Sequence, residues 1–264
     1  MQLQFYMPCV ALSPVVQFFW TIEIDACDKH PFIQRCLAHT APELIFHCQG
    51  RFDRLDAGEA VCFTSGVQAQ AQTYRRFIAT QKTTLLGVRF RHHGLKEIFG
   101  IDASEFTGGM PELHVLGNNA GEIEDKLASA PSHKKRIEIL SHYLLGLLRK
   151  SSTTSRATLA TITHLLKNNG TLSIASLASF GCMGERQLER VFLQTTGMSP
   201  KLFSRITRFR HAINISAESL SLTARAADAG YYDQSHFIRD FKTFSGYNPH
   251  EYFCGELGPD HFTI

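Results

Sequence analysis

Two short stretches of the chain carry polar side chains at positions that would share one face of a helix. In the first stretch this face holds arginine and glutamate, and in the second it holds glutamine and arginine. Arginine can hydrogen-bond guanine, glutamine can hydrogen-bond adenine, and glutamate can accept from cytosine when such a face enters the major groove. The residues of these two faces are Arg186, Gln187, Glu189 and Arg190, and then Gln234, Ser235, Ile238 and Arg239.

Each stretch also carries an apolar pair on the opposite side of its predicted helix. Leu188 and Phe192 form the first pair, and Phe237 and Phe241 form the second. Residues four positions apart lie on one helical face, so each pair is expected to be buried. Asp233 stands where an N-cap residue accepts hydrogen bonds from the first free amides of a helix. The pattern therefore predicts two helices, each with a buried side and a polar outer side.

These two stretches belong to an internal repeat with an offset of 49 residues, the interval from Leu188 to Phe237. Gly181 in the first copy matches Gly230 in the second. A short helix, a glycine that reverses the chain and a second helix together make the helix-turn-helix plan. The alternative is a helical bundle whose polar faces are only solvated. Two copies at a constant offset, joined by a basic helix, favour the first interpretation.

The helix that joins the two copies is predicted to begin at Pro200, a residue suited to the first turn of a helix. Apolar residues recur along it at helical spacing, and basic residues occupy its other faces. The excess of positive charge in the chain also lies in this region, since residues 155–254 contain 11 Lys and Arg against 7 Asp and Glu. This balance suits a polyanionic partner. The apolar residues are Leu202, Ile206, Phe209 and Ile213, and the basic ones are Lys201, Arg205, Arg208 and Arg210.

The first half of the chain is patterned differently. Short β-branched and aromatic runs bounded by Gly, Pro or Asp predict strands, and helical periodicity follows them. In the last of these helices, one apolar stripe is expected to pack against the domain's own sheet, with a dimer seam as the alternative. The predicted strands are Phe18–Ile24, Glu43–Cys48, Ala60–Thr64 and Leu85–Phe90, the helices are Glu122–Ala130 and His133–Lys150, and the stripe is Ile137, Leu140, Tyr143, Leu144, Leu147 and Leu148.

A polar run from Ser151 to Ser155 separates the two halves and predicts a domain boundary. We therefore expect an α+β protein with four parts. Residues 1–150 form a strand-rich domain for effector sensing or dimerisation, and residues 151–155 are a linker. Residues 156–254 form an all-α domain with two helix-turn-helix units joined by a long helix, and residues 255–264 are a tail.

The seven cysteines are widely spread and form no C-x-x-C pair, which is typical of a reduced protein without a zinc knuckle. We find no apolar run of membrane-spanning length and no signal-peptide pattern, so a cytoplasmic protein is expected. His39, Glu43 and His47 share one face of a continuous strand, but residues four apart on a strand are separated by roughly 13 Å. We interpret these residues as scattered surface histidines, and no metal, cofactor or catalytic residue is expected.

The C-terminal stretch resembles the AraC/XylS family of bacterial transcription regulators. The resemblance is most specific at Asp233-Gln234-Ser235-His236-Phe237, followed by Arg239, Phe241-Lys242 and Gly246 to Pro249. The first copy, SLASFGCMGERQLERVFLQTTGMSP, also fits, and about a hundred residues are covered. The family usually has a capping Ser or Thr where this chain has Gly184. Since glycine caps a helix nearly as well, the first unit is expected to form, although a hydroxyl contact to phosphate is lost.

The resemblance implies that the chain presents two recognition helices to successive major-groove segments on one face of double-stranded DNA. His236 is either a base-reading residue or a brace for the turn. The implied base-reading residues are Arg186, Glu189, Arg190, Gln234, Ser235, His236 and Arg239, and the implied phosphate contacts are Lys201, Arg205, Arg208 and Lys242.

The first half resembles, less specifically, a sensor-like domain that precedes such DNA-binding units, and this resemblance supplies no binding residues. The function expected is a sequence-specific regulator modulated by a small-molecule effector. RNA polymerase is a further partner if the protein activates transcription, and a homodimer is one candidate assembly, since the sequence does not give the oligomeric state. Two alternatives stay open: a regulator whose first half only mediates protein association, and a repair or metal-dependent enzyme fused to the DNA-binding unit.

Overall fold

The computed structural model describes residues 1–117, 120–148, 154–215, 221–255 and 261–263. Strands occupy the first third of the chain and helices occupy most of the remainder, as the predicted α+β class requires. The strands are β1 (Gln2–Tyr6), β2 (Val16–Ile24), β3 (Phe32–Cys36), β4 (Glu43–Gln49), β5 (Asp53–Asp56), β6 (Glu59–Val61), β7 (Gly66–Gln68), β8 (Arg75–Ala79), β9 (Thr83–Phe90) and β10 (His261–Thr263).

The strands form two five-stranded sheets. The first has the order β1-β2-β9-β4-β7, and the second has the order β10-β3-β8-β5-β6. All pairings between these strands are antiparallel except that of β10, which runs parallel to β3. Ile22 and Leu85, on one face of the first sheet, pack with Phe52, Phe63 and Phe77 in one apolar core. The two sheets therefore enclose a common interior.

Trp20 and Gly87 show how closely the side chains of this interior approach the backbone. The two residues lie opposite each other on β2 and β9. A Cβ atom at Gly87 would lie 2.1 Å from Cε2 of Trp20, so only glycine leaves room for the indole ring. Gly87 thus allows the single tryptophan of the chain to lie flat across the sheet.

The described part of the first half contains three α-helices, α1 (Gly94–Phe99), α2 (Ala120–Ser129) and α3 (His133–Leu147), and two short 3-10 helices, Ala103–Phe106 and Leu113–Leu116. Leu140 and Leu144 of α3 are fully buried in a core that includes Phe19 and Val88 of the first sheet. The predicted packing of the apolar stripe against the sheet is therefore confirmed at its centre, while Leu147 stays exposed.

The second half of the chain is helical, and its helices share one core. Phe209, near the middle of this core, contacts the rings of Phe241 and Phe244. The helix predicted to start at Pro200 does so, with Ser199 as its N-cap. The helices are α4 (Arg156–Lys167), α5 (Ile174–Phe180), α6 (Glu185–Thr196), α7 (Pro200–Asn214), α8 (Leu222–Asp228), α9 (Gln234–Ser245) and α10 (Pro249–Phe253).

Three of the four predicted strands correspond to β2, β4 and β9. The fourth, Ala60–Thr64, is shorter than predicted, because β6 ends at Val61. Helix α3 ends at Leu147 with Leu148 as its C-cap, and residues 149–150 of the predicted helix lie outside the described residues. Residues 151–153 of the predicted linker, and residues 256–260 and 264 of the predicted tail, lie outside the described residues. Residues 261–263 of that tail form β10.

Candidate nucleic-acid interface

The first helix-turn-helix unit consists of α5, a tight turn and α6. Helix α5 ends at Phe180 with Gly181 as its C-cap, and the amide of Met183 donates to the carbonyl of Ala178 across the turn. Gly184 is the N-cap of α6 and makes no side-chain cap hydrogen bond. As predicted, the helix forms without the hydroxyl that this position usually carries.

The second unit, α8 and α9, repeats this plan with a stronger cap. Gly230 has a φ of 79°, in the left-handed region that favours glycine, and reverses the chain after α8. The carboxylate of Asp233 accepts from the amide of His236 at 2.7 Å. The N-cap predicted at Asp233 is therefore confirmed.

The apolar pairs lie inside the helical core, and most of the predicted readers lie outside it. Leu188, Phe192, Phe237 and Phe241 are fully buried. Ile238 is half-buried and packs against the core, so the outer face of α9 is narrower than its spacing predicts. The exposed predicted base-reading residues are Arg186, Glu189 and Arg190 on α6 and Gln234, Ser235 and Arg239 on α9.

His236 has structural contacts on two sides. Its ring meets that of Tyr231 edge to face, with centroids 5.4 Å apart. Its Nε2 atom lies 3.7 Å from Oδ2 of the buried Asp240. This position favours a structural role for His236, in which the ring supports the turn, over a role in reading bases.

Of the basic residues predicted to contact phosphate, two are engaged inside the protein. Arg205 donates from Nη2 to the fully buried Asp240 at 2.6 Å. Arg208 lies over the ring of Tyr231 and donates to the carbonyl of Gly230 at 3.3 Å. Asp240 is acidic at a buried position of α9, and the Arg205 guanidinium offsets the cost of burying that charge. Lys201 and Lys242 are exposed.

Tyr232 is an exposed residue that the sequence analysis did not single out. It is 96% exposed, in the turn immediately before the N-cap of α9. An exposed aromatic ring at this place is unusual, since tyrosine normally buries much of its ring. The aromatic pair Tyr231-Tyr232 was the available signal: one ring enters the core and the other faces solvent.

The strand-rich half contacts the C-terminal ends of both second helices. Helix α6 ends at Thr196, and the carbonyl of its C-cap residue Gly197 accepts from Thr107 Oγ1 at 2.7 Å. Helix α9 ends at Ser245, and a Cβ added at its C-cap residue Gly246 would lie 2.6 Å from the ring of Tyr74. In addition, the amide of Ala38 donates to the carbonyl of Phe244 at 2.8 Å. The two halves therefore meet at equivalent positions of the two units.

His92 lies at this junction, against the connecting helix. Its ring packs on Phe203 of α7 with centroids 5.0 Å apart, and its Nδ1 atom lies 3.1 Å from the carbonyl of Thr40. Burial, more than any other cause, lowers the pKa of His92 to about 4. The ring is therefore neutral at pH 7.

A histidine whose pKa is lowered by folding makes stability depend on pH. The unfolded chain binds the proton more tightly, so the stability is present above about pH 6.5 and is lost as the pH falls toward 4. When the pH falls from 7 to 5, the difference in proton binding at His92 alone is expected to lower the free energy of unfolding by about 2 kcal/mol. Urea unfolding at both pH values measures this, and His92→Gln is expected to reduce the difference between them. His142→Gln, at an exposed position, is the control, and an undiminished difference in His92→Gln would contradict the assignment.

The histidines considered for a metal site are not at the surface, which corrects that part of the sequence interpretation. His39 is buried, and its Nδ1 atom lies 2.7 Å from the carbonyl of Ala41. Burial and the nearby Arg89 hold the pKa of His39 well below its usual value. Across the described ranges, no group of three or more His, Cys, Asp or Glu side chains could hold a metal ion. In the same ranges, no helix is long and apolar enough to cross a membrane.

Two protein families match separate parts of the chain. Residues 177–254 match a family described as a helix-turn-helix domain, and residues 4–110 match a domain of unknown function, DUF6597. No curated protein matches the chain.

Several solved structures resemble the chain. The DNA-binding domain of AdpA, solved with a target DNA, is 19% identical with a TM-score of 0.36, covering 38% of this chain and 93% of that one. ToxT from Vibrio cholerae is 14% identical with a TM-score of 0.46, covering 89% and 98%. The C-terminal domain of AraT, a response regulator from Geobacillus stearothermophilus, is 23% identical with a TM-score of 0.37, covering 40% and 91%.

The C-terminal segment is a helix-turn-helix domain of the AraC type, as its sequence resemblance predicted. A domain of this type binds DNA, and it supports the interpretation of the chain as a DNA-binding transcription regulator.

Proposed function

We propose that this protein is a sequence-specific transcription regulator that reads two successive major-groove segments with α6 and α9 and is modulated by a small molecule through its first half. The observation that carries the proposal is the repeated geometry of the two units. Each buries an apolar pair and leaves a charged or amide-bearing face exposed, and such faces can read base edges.

Within this proposal the polar residues divide into three roles. Arg186, Glu189 and Arg190 read bases from α6, and Gln234, Ser235 and Arg239 read bases from α9. Phosphates are contacted by the exposed Lys201 and Lys242, which set the register of the protein on the duplex. The side chains that already have partners inside the protein, Arg205, Arg208 and His236, hold α9 against α7.

We also propose the division of the chain into a domain of residues 1–150, a linker of residues 151–155, a DNA-binding domain of residues 156–254 and a tail. The contacts of Thr107 with Gly197 and of Tyr74 with Gly246 support a route by which the first domain influences the second. An effector that shifts these contacts would change the relative orientation of α6 and α9. A homodimer, and RNA polymerase in the case of an activator, are further partners under this proposal. No catalytic role is proposed.

Selection of bound sites from a random DNA pool tests the proposal. We expect a site with two conserved segments about ten base pairs apart, because the two helices enter successive major-groove segments on one face. Affinity for the selected site is expected to fall steeply with salt, since the protein displaces counterions from the phosphates it contacts. Recovery of no conserved sequence, together with affinity independent of salt, would refute the proposal.

A further inference from the structure

A hydrogen bond joins the two helices of the second helix-turn-helix unit on their exposed side. Oγ1 of Thr223 on α8 donates to Oε1 of Gln234 on α9 at 2.9 Å. Both side chains are exposed, and the two residues are 11 positions apart in sequence. Within the ranges that the structure describes, Gln234 makes no second hydrogen bond. The nitrogen of its carboxamide is therefore available to a partner outside the protein.

Both ends of this hydrogen bond are held by anchored backbone. Gln234 is the first residue of α9, directly after the N-cap Asp233. Arg225, two positions after Thr223 on α8, is buried and donates to the carbonyl of Ile215, the C-cap residue of α7, at 2.7 Å. Helix α8 is thus tied to the connecting helix. Thr223 therefore holds the Gln234 side chain from a helix whose own position is fixed.

The carboxamide of Gln234 has the donor and acceptor pattern that matches adenine. In the major groove adenine presents the N6 amino group as a donor and N7 as an acceptor, whereas guanine presents two acceptors, N7 and O6. The carbonyl oxygen of glutamine has two lone pairs. Thr223 engages one of them, so the other can accept from the adenine amino group while the amide nitrogen donates to N7. The first residues of a recognition helix are the ones that reach base edges.

The hydroxyl of Thr223 decides which end of the carboxamide lies toward α8. The last torsion of an unrestrained glutamine is broad and roughly two-fold, and a half-turn about it exchanges the oxygen and the nitrogen. A single intramolecular hydrogen bond changes such a balance by about twofold to tenfold. A side chain that already has its binding orientation loses less freedom when it binds. Thr223 thus prepares Gln234 before any DNA is present.

We propose that Thr223 is a positioning residue that fixes the carboxamide of Gln234 for the recognition of adenine in the major groove. Thr223 acts through Gln234 and not through a base contact of its own. This inference deepens the proposed function and rests on it, because it names the base that the start of α9 reads and the residue that selects it.

The first unit has no equivalent of this pair of side chains. At the repeat offset of 49 residues, Ile174 stands in the place of Thr223 and Glu185 in the place of Gln234. Isoleucine has no hydroxyl, and the two ends of a glutamate carboxylate are identical. The fixed carboxamide is therefore a property of the second unit alone. We expect a sharp preference for adenine in the segment that α9 reads.

Synthetic DNA that carries the selected site with single altered bases tests the adenine contact. The position read by Gln234 is the one whose base preference disappears in Gln234→Ala, and we expect adenine there. Replacement of this adenine by 7-deazaadenine removes N7, and replacement by purine removes the amino group. Each replacement is expected to weaken binding of the wild type by about twofold to tenfold, the effect of one lost hydrogen bond. The same replacements should not affect Gln234→Ala.

Variants of Thr223 test its positioning role. Thr223→Val keeps the shape but removes the hydroxyl, and it is expected to lower the preference for adenine over guanine by about twofold to tenfold. Thr223→Ser should retain the preference. Thr163→Val is the matched control, because Thr163 is an exposed threonine on α4 whose hydroxyl donates to the carbonyl of Leu159. In a Gln234→Ala background, Thr223→Val should cause no further loss, whereas a threonine that contacted the DNA itself would still cause one.

The results separate this inference from the proposed function. A specific site at which Thr223→Val retains the wild-type preference for adenine would overturn the inference and leave the proposed function standing. A base other than adenine at this position, or an additive loss in the double variant, would also overturn the inference. The NMR signals of the Gln234 side-chain amide in the free protein are expected to shift in Thr223→Val and not in Thr163→Val. That shift, together with no selected DNA sequence, would remove the proposed function and leave the positioning contact standing.

Discussion

Replacement of Phe241 by alanine is expected to lower the free energy of unfolding by about 3–5 kcal/mol. The side chain is fully buried, and its ring contacts those of Phe209, Phe237, Tyr252 and Phe253. These neighbours belong to α7, α9 and α10, so they cannot all move inward to fill the space that the ring leaves. The loss of stability therefore combines the lost burial of the ring with the energetic penalty of the cavity that it leaves.

Chemical denaturation of the purified full chain measures this loss. Phe180→Ala is the matched control, because Phe180 is 49% exposed at the end of α5, where its ring stacks on His164. The Phe180→Ala change is expected to lower the free energy of unfolding by less than about 1 kcal/mol, since most surface substitutions have small effects. If both variants unfold at the same denaturant concentration, the burial assigned to α9 is wrong.

The double variant Arg190→Ala with Arg239→Ala is expected to lose about 2–6 kcal/mol of specific DNA-binding energy. Each arginine is exposed on the outer face of its own helix, and one good base contact is worth about 1–3 kcal/mol of discrimination. The two residues lie in separate units, so their effects should add. Titration of a labelled selected site by fluorescence anisotropy, at one fixed salt concentration, measures the loss.

Lys135→Ala is the control for this double variant, because it removes a positive charge from α3, far from either unit in sequence. Its specific affinity should equal that of the wild type, and the melting temperature of the double variant should also be unchanged. Wild-type preference for the selected site in the double variant would show that these arginines do not read bases.

The DNA-binding half could be predicted from the sequence because its signals are local. Helix caps, the glycines after α5 and α8, and apolar pairs four residues apart act within one turn of helix. Asp233, Pro200 and the pair Phe237 and Phe241 are therefore found where their spacing predicts. The repeat added a second copy of the glycine and of the apolar pair, although the first copy has Gly184 where the second has the capping Asp233.

The partners of individual charges could not be predicted in this way. Arg205 and Asp240 are 35 positions apart, and only the packing of α7 on α9 brings them together. The position of Arg205 on a basic helix favoured the prediction that it contacts a DNA phosphate. A helical pattern indicates which residues share a face of the helix, but it does not indicate what covers that face. His236 is a similar case, since its contact with Tyr231 depends on how the turn folds.

The interior between the two sheets depends on contacts still more remote in sequence. Arg89 is on the same side of β9 as Leu85 and Gly87, so the period of the strand indicates an arginine facing the interior. Nothing in the local pattern of α7 indicates that Arg210 meets it there. The order of the strands in the sheets could not be predicted either, because β3 pairs with β8 and β4 pairs with β9 across long intervals of the chain.

Under the proposed function, one chain places α6 and α9 in two major-groove segments on the same face of one duplex. Insertion of five base pairs between the two conserved segments of the selected site tests it most directly. Such an insertion turns one segment by about half a helical turn relative to the other. We predict that the affinity falls to that of a duplex carrying a single segment. Undiminished affinity for the five-base-pair insertion would contradict the claim, because two helices held by α7 cannot follow opposite faces of the DNA.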